Sequence, residues 1–418
     1  MNKRTIILLL ALFFMLRLVV IFFVAKEKPV LIGDSPQYNN YALAILKGPG
    51  WLHSADFMGS YREPAYPLFL AISYLLFGKE NFIAVFILQA LANVLTIFII
   101  YKLALKMFGR EAAVLAFFWS GFYCYYYWYT ALLLREVFIF FYFTLFVYYL
   151  YLYLVDGYHK KINFTISILS FFALLFTDLR YIYLFPCVFL VFIFYKRPLE
   201  GVKNFFIFAF IIILLVAPWI SRNFIIYKKP LAADSQNLII PKAIFKAGRD
   251  ILFYQKGHLI ADKHYLFPEE KSLIKQGFNP NNRTNDEIVA IKNDKCPIST
   301  IPGMLIDNLI VMWSPYMPSD YYRHVPACQI EKYSIRHNVS ALVCYGILLP
   351  FAVMGIIYLV RRQKKIALFL LVWIFFNTIA HVPIWGHERY RNATDSLLII
   401  LGTYGMSMTY KLISRRQT

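Results

Sequence analysis

The apolar runs of this chain are repeatedly broken by polar clusters of two kinds. One kind mixes carboxylates, arginines and aromatics: Asp34 to Arg62, Arg135-Glu136, Asp178 to Arg180, Trp219 to Asn223, and His387 to Arg391. The other kind is basic: Lys3-Arg4, Lys102 to Arg110, His159 to Lys161, Lys196-Arg197, Arg361 to Lys365, and Arg415-Arg416. The two kinds alternate along the chain. Membrane proteins gather Lys and Arg on the cytoplasmic side. With the basic kind placed there, every cluster able to do chemistry faces the opposite side.

Taken one at a time, these residues have plain explanations. Asp34 reads as a solvated acid assisting a helix cap, Glu136 as the partner of Arg135 at an interface, and Asp178 as the partner of Arg180. Arg62 in YREPAYP, Arg222 in APWISRN, and Arg389 and Arg391 in GHERYRN each stand beside an aromatic, as snorkelling arginines do. Four such sites on one side ask for more. Guanidinium binds phosphate through a planar fork of donors. A glycosidase needs an acid for its leaving alkoxide and a second carboxylate, whereas a phosphate leaving group needs positive charge. One carboxylate base with several arginines therefore suits sugar transfer from a lipid phosphate. Asp34 and Glu136 are the catalytic candidates, with Asp34 as base. Arg62, Arg222, Arg389 and Arg391 are the donor-phosphate candidates, and Arg62 also orients the first loop. Tyr38, Tyr66, Asp178, Arg180, Trp219, Asn223 and His387 are candidates for substrate contact. A divalent metal on Asp34 and Glu136 is compatible with this pattern and not required by it. There is no Gly-rich phosphate loop, HExxH or GxSxG.

Composition fixes the setting. The chain has 418 residues, 60% of them hydrophobic and 19% aromatic, against about 45–50% apolar in ordinary domains. The net charge of +20 is explained largely by the basic clusters, so nucleic acid is not an expected partner. Crossing a bilayer takes about 20 apolar residues. Ten segments qualify: about 6–24, 81–104, 111–130, 135–155, 162–178, 180–195, 203–221, 338–360, 366–384 and 394–412. Segment 65–78 is too short, and counting it would turn the basic clusters outward, so it is expected to be interfacial or re-entrant. Within the first loop (25–80), Ser35 is the expected N-cap, with Pro36 at the first helical position. Tyr38, Tyr41, Ala42 and Ile45 form one face of that helix, and Gly48 ends it. The expected organisation is a catalytic transmembrane module over 1–221, a mainly helical extracytoplasmic cap over 222–337, and terminal helices over 338–418. Cys124, Cys187 and Cys344 read as inert packing. Cys296 and Cys328, in the polar stretch, are able to pair if that stretch lies outside the cytoplasm.

Four stretches resemble a known family: GDSPQYNNYALAILKGPG, YREPAYPLFLAISYLLFG, VAPWISRNFIIYKKP and GHERYRNATDSLLII. Together they are similar to GT-C membrane glycosyltransferases of the protein O-mannosyltransferase and lipid A aminoarabinose-transferase type. The resemblance implies an all-α polytopic GT-C fold, a polyprenyl-phosphate sugar as donor and co-substrate, and an inverting displacement. It also implies an acceptor glycan, lipid or protein, and a site facing outward from the inner or plasma membrane. Asp34 takes the place of the family's catalytic acid, Glu136 that of its second acid, and Asp178 with Arg180 that of a further site. The first loop shows one clear acid where the family carries an Asp-Glu pair. Two other readings remain: a flippase for lipid-linked sugars that uses the same arginines, and a lipid-linked glycan polymerase or ligase with a lipid pyrophosphate donor. Transporters often carry internal repeats and mid-membrane breaks, and no repeat is visible here.

Overall fold

Backbone N–H and C=O groups in hydrocarbon must be satisfied within the protein, which favours helices, and the described residues contain no strand. The computed structural model describes residues 1–27, 34–49, 62–155, 160–227, 335–383 and 388–414, with 305–306, 309–310 and 312–315. Cys296, Cys328 and His387 lie outside them. The chain divides into two compact units. The first comprises Met1–Gln236, Cys344–Asn377 and Asn392–Thr418; the second comprises Asn237–Val343 and Thr378–Arg391.

The helices follow the apolar runs. They are α1 (Lys3–Glu27), α2 (Ser35–Leu46), α3 (Ala65–Phe77), α4 (Phe82–Phe108), α5 (Arg110–Gly121), α6 (Cys124–Thr130), α7 (Glu136–Val155) and α8 (Lys160–Thr177). A 3-10 turn (Leu179–Leu184), α9 (Phe185–Tyr195) and α10 (Pro198–Tyr227) come next. Then follow α11 (Ile335–Ala341), a π-turn (Leu342–Gly346), α12 (Leu348–Arg362), α13 (Lys364–His381), α14 (Glu388–Arg391) and α15 (Asp395–Ser414). Among the described residues, eight helices are long and apolar enough to cross a membrane, and the protein is an integral membrane protein.

Two expected spans are broken. Segment 111–130 divides at Phe122–Tyr123, where Tyr123 turns extended and its hydroxyl donates to Asp395 at 2.7 Å. Segment 180–195 begins as a 3-10 turn, and Pro186 in the first turn of α9 starts a new helix. Helix α3, with 13 residues, measures about 20 Å and stays short of the ~30 Å hydrocarbon core, as expected. Helix α2 starts one residue earlier than the sequence suggests. Asp34, not Ser35, holds the N-cap position, and its side chain makes no cap hydrogen bond. Tyr38, Tyr41 and Ala42 are buried as the periodicity requires. Gly48, at φ +111, takes the left-handed conformation that ends the helix.

In the first unit α12 and α15 pack backbone to backbone. A Cβ on Gly405 would stand 2.0 Å from the Phe351 carbonyl, and one on Gly355 2.2 Å from that of Leu401. Small residues permit this approach in membranes. Arg17 of α1 is buried inside the bundle, where a charge is costly unless it is held. It donates to Asn93 at 2.8 Å and to the Phe13 carbonyl at 3.0 Å, beneath the Tyr127 ring. The basic clusters also meet within this unit. Lys411 pairs with Glu111 at 2.7 Å, the Tyr195 hydroxyl donates to the Lys365 carbonyl at 2.9 Å, and Lys196 lies over the Tyr153 ring. Tyr153 is near the C-terminus of α7, whose N-terminus carries Arg135 and Glu136.

Candidate active site

The mixed clusters of the first loop, the start of α7 and the end of α8 converge at the other end of these helices. Two anchors set the loop there. Asn39 of α2 donates to Glu80 at 2.7 Å and accepts from the Tyr74 hydroxyl at 2.7 Å, fastening α2 to α3. The Tyr66 hydroxyl donates to Gln89 of α4 at 2.8 Å, and Gln89 in turn donates to the Thr130 and Leu132 carbonyls.

On this frame sit two ion-pair systems. In the first, Arg62 Nη2 donates to Asp34 Oδ1 at 2.6 Å, and Arg62 Nε donates to Gln37 at 2.8 Å. The Asp34 side chain keeps 23% of its surface exposed. In the second, Arg135 bridges Glu63 and Asp178, at 2.5 and 2.9 Å, and donates to the Thr177 carbonyl at 3.0 Å. Glu63 also accepts from the Leu179 amide at 3.0 Å. Arg180 closes the system with a bidentate pair to Asp178. Glu63, Arg135 and Asp178 are all buried, Asp178 completely. Burial pushes the Asp178 carboxyl up, but the charges of Arg135 and Arg180, with Arg180's hydrogen bonds, outweigh it and hold the group below the usual carboxylate range.

The sequence candidates sort accordingly. Asp34 and Arg62 come together, and Arg62 turns its Nε and Nη2 onto the loop itself. Asp178 and Arg180 pair as expected. Arg135 does not take its neighbour Glu136, which is buried at the first position of α7. Tyr38 and Tyr66 are fully buried and meet edge-on at 5.0 Å, so they support the loop from beneath. Burial pushes the Tyr38 phenol above its ordinary range, against the charges of Arg135 and Arg62. Trp219 and Asn223 are buried in α10, near its internal Pro218. Arg222 lies over the Trp219 ring at 5.1 Å and donates to Asn223 at 2.7 Å. The Trp219 ring contacts Phe176, two residues before Asp178. Arg389 and Arg391 belong to the second unit, where Arg391 is buried and donates to the Met312 carbonyl at 3.1 Å.

Sequence reasoning missed Glu63, the bridging role of Arg135, and Gln37. The signal was present for the first two: Arg-Glu occurs at 62–63 and again at 135–136, and neighbours in sequence do not face each other on a helix. As for metal, no group of three His, Cys, Asp or Glu side chains converges among the described residues. Asp34 Oδ1 is taken by the Arg62 guanidinium, so the described residues do not assemble a metal site.

Comparison with known proteins finds one family model and several solved structures of similar fold. The sequence model of the family described as dolichyl-phosphate-mannose-protein mannosyltransferase matches residues 62–221. No curated protein sequence matches significantly. Among solved structures, the apo oligosaccharyltransferase of Archaeoglobus fulgidus superposes with a TM-score of 0.57 at 16% identity, covering 100% of this chain and 52% of that one. The oligosaccharyltransferase AglB of the same organism, in complex with an inhibitory peptide and a dolichol-phosphate, gives 0.54 at 13% identity, covering 98% and 51%. ArnT of Cupriavidus metallidurans in the apo state gives 0.45 at 12% identity, covering 95% and 77%. The chain thus spans about half the length of the oligosaccharyltransferase structures it matches.

Proposed function

For a chain with the GT-C membrane-glycosyltransferase fold, we propose transfer of a sugar from a polyprenyl-phosphate donor to an acceptor on the extracytoplasmic face of the cell membrane. The reading rests on one observation above all. Of the carboxylates in the two ion-pair systems, Asp34 keeps about a quarter of its side chain exposed (23%) while Glu63 and Asp178 are sealed in. A carboxylate that takes a proton from an acceptor has to be reachable by it.

In this mechanism Arg62 holds Asp34 Oδ1 and fixes the carboxylate's orientation, and Asp34 Oδ2 takes the proton of the acceptor hydroxyl or amine. The acceptor atom bonds to the anomeric carbon as the carbon–oxygen bond to phosphate breaks, inverting that centre. The bonding electrons leave on the phosphate. Arg222, beside Asn223 and over Trp219, supplies positive charge for the developing anion. The buried system holds the first loop against the ends of α7 and α8, which sets the distance between base and donor. The family match over 62–221, the dolichol-phosphate in the AglB structure and the basic residues at the far helix ends support lipid-linked donor and sidedness together.

The test is transfer of labelled sugar from polyprenyl phosphate in membranes containing the full chain. Label should reach a new acceptor with wild type and fall about 10²–10⁴-fold with Asp34→Asn. Label that only changes leaflet, equally in wild type and variant, would replace the enzyme with a flippase.

A further inference from the structure

Two cysteines far apart in sequence meet where helical geometry lapses twice. Cys124 opens α6 directly after the break at Phe122–Tyr123, and Cys344 sits inside the π-turn between α11 and α12. The Cys344 thiol is a hydrogen-bond neighbour of the Cys124 thiol and reaches the Phe122 carbonyl at 3.6 Å. The Trp119 indole donates to the Cys344 carbonyl at 2.8 Å. Both cysteines are partly exposed, whereas Cys187 is buried, with its thiol against the Val372 carbonyl. Packing alone explains Cys187. It does not explain two accessible thiols facing each other between irregular backbone segments.

Their depth also suits oxidation. Helix α5 starts at Arg110 at the basic end and runs 12 residues, rising about 18 Å, past the middle of a core of about 30 Å. Helix α12 carries 15 residues between the π-turn and Arg362, about 22 Å. Both thiols thus lie in the half of the bundle away from the basic clusters. In the orientation proposed above, that half adjoins the compartment where disulfides form.

We propose that Cys124 and Cys344 are a disulfide-forming pair that clamps the α5–α6 break to the α11–α12 turn. The step is thiol–disulfide exchange with a disulfide-bearing oxidant, either a small disulfide or a thiol oxidoreductase. One cysteine thiolate attacks a sulfur of the oxidant, forming a mixed disulfide and expelling one thiolate. The second cysteine thiolate attacks the protein sulfur of that bond, forming the Cys124–Cys344 bond and expelling the other. Two electrons pass to the oxidant, and the two cysteine protons end on its thiols. The clamp adjoins Tyr123, whose hydroxyl holds Asp395 at the start of α15.

The experiment treats the full chain in detergent with oxidised glutathione. Remaining thiols are blocked with N-ethylmaleimide, and the linked peptides are mapped by mass spectrometry. A Cys124–Cys344 linked peptide is expected. It should disappear on reduction and in Cys124→Ser and Cys344→Ser, and survive in Cys187→Ser. Recovery of both cysteines as alkylated peptides from oxidised wild type, or linked instead to Cys296 or Cys328, would overturn the pairing. Because wild type is mapped directly, a variant that fails to fold does not blur the result. The pairing stands on contacts within the first unit and survives a failure of the proposed enzyme activity.

Discussion

Arg62 and Glu63 are neighbours in the chain, yet they serve two ion-pair systems of opposite character. Arg62 reaches back to an accessible carboxylate, and Glu63 reaches forward into a sealed network around Arg135. Burial separates their roles. A part-exposed pair contributes modestly to stability and leaves its carboxylate within reach of a substrate. A buried pair contributes little beyond what its desolvation costs, but breaking it strands a charge. On the proposed reading the first system does the chemistry and the second holds the first in place.

Three substitutions and one condition test that contrast. The largest effect on the protein itself should come from Arg135→Ala, which leaves Glu63 and Asp178 buried without their shared cation. A loss of roughly 3–5 kcal/mol is expected, seen as a lower thermal midpoint of the purified protein, with activity falling alongside it. A midpoint equal to wild type would mean the network holds nothing. Asp34→Asn should do the reverse, silencing transfer while moving the midpoint little. Next, Arg62→Met should slow transfer by roughly 10–100-fold through loss of orientation and leave donor binding in place. If instead donor binding were lost at unchanged turnover, Arg62 would be a phosphate ligand as the sequence first suggested.

The smallest effect is a position on the pH axis. The Asp178 carboxyl is held below its ordinary range in the folded protein. Its contribution to stability is complete above the unfolded value of about 4 and is lost as pH falls through the folded one. Stability from this group should stay level from neutral pH down to about 4 and decline only below that. In Arg135→Ala the decline should be shallower, because with the largest of the lowering charges gone the folded value moves up toward the unfolded one. Thermal midpoints of wild type and variant across an acid series would show the difference, and superimposable profiles would remove Asp178 from the network's energetics.

Much of the frame was readable from residue order. The long apolar runs became helices, α3 proved too short to span, and the face carrying Tyr38, Tyr41 and Ala42 was buried. The breaks at Tyr123 and ahead of Pro186 were not read, since a continuous apolar run looks the same whether or not a distant side chain draws the backbone out of the helix. Asp34 was legible as a candidate base, but as a cap-assisting acid it was misdescribed: its side chain serves Arg62 and caps nothing. Glu63 was passed over because its partner Arg135 lies 72 residues away in the chain.

What the sequence alone determined is most of the long helices and the alternation of basic and mixed clusters at their ends. Those follow from local costs: unpaired backbone and charge are excluded from hydrocarbon wherever they occur. Only the tertiary structure decided which arginine meets which carboxylate, as with Arg135 and Glu63, 72 residues apart. An ion pair acts through space, and its burial, which here separates a part-exposed carboxylate from sealed ones, is a property of the packed helices around it.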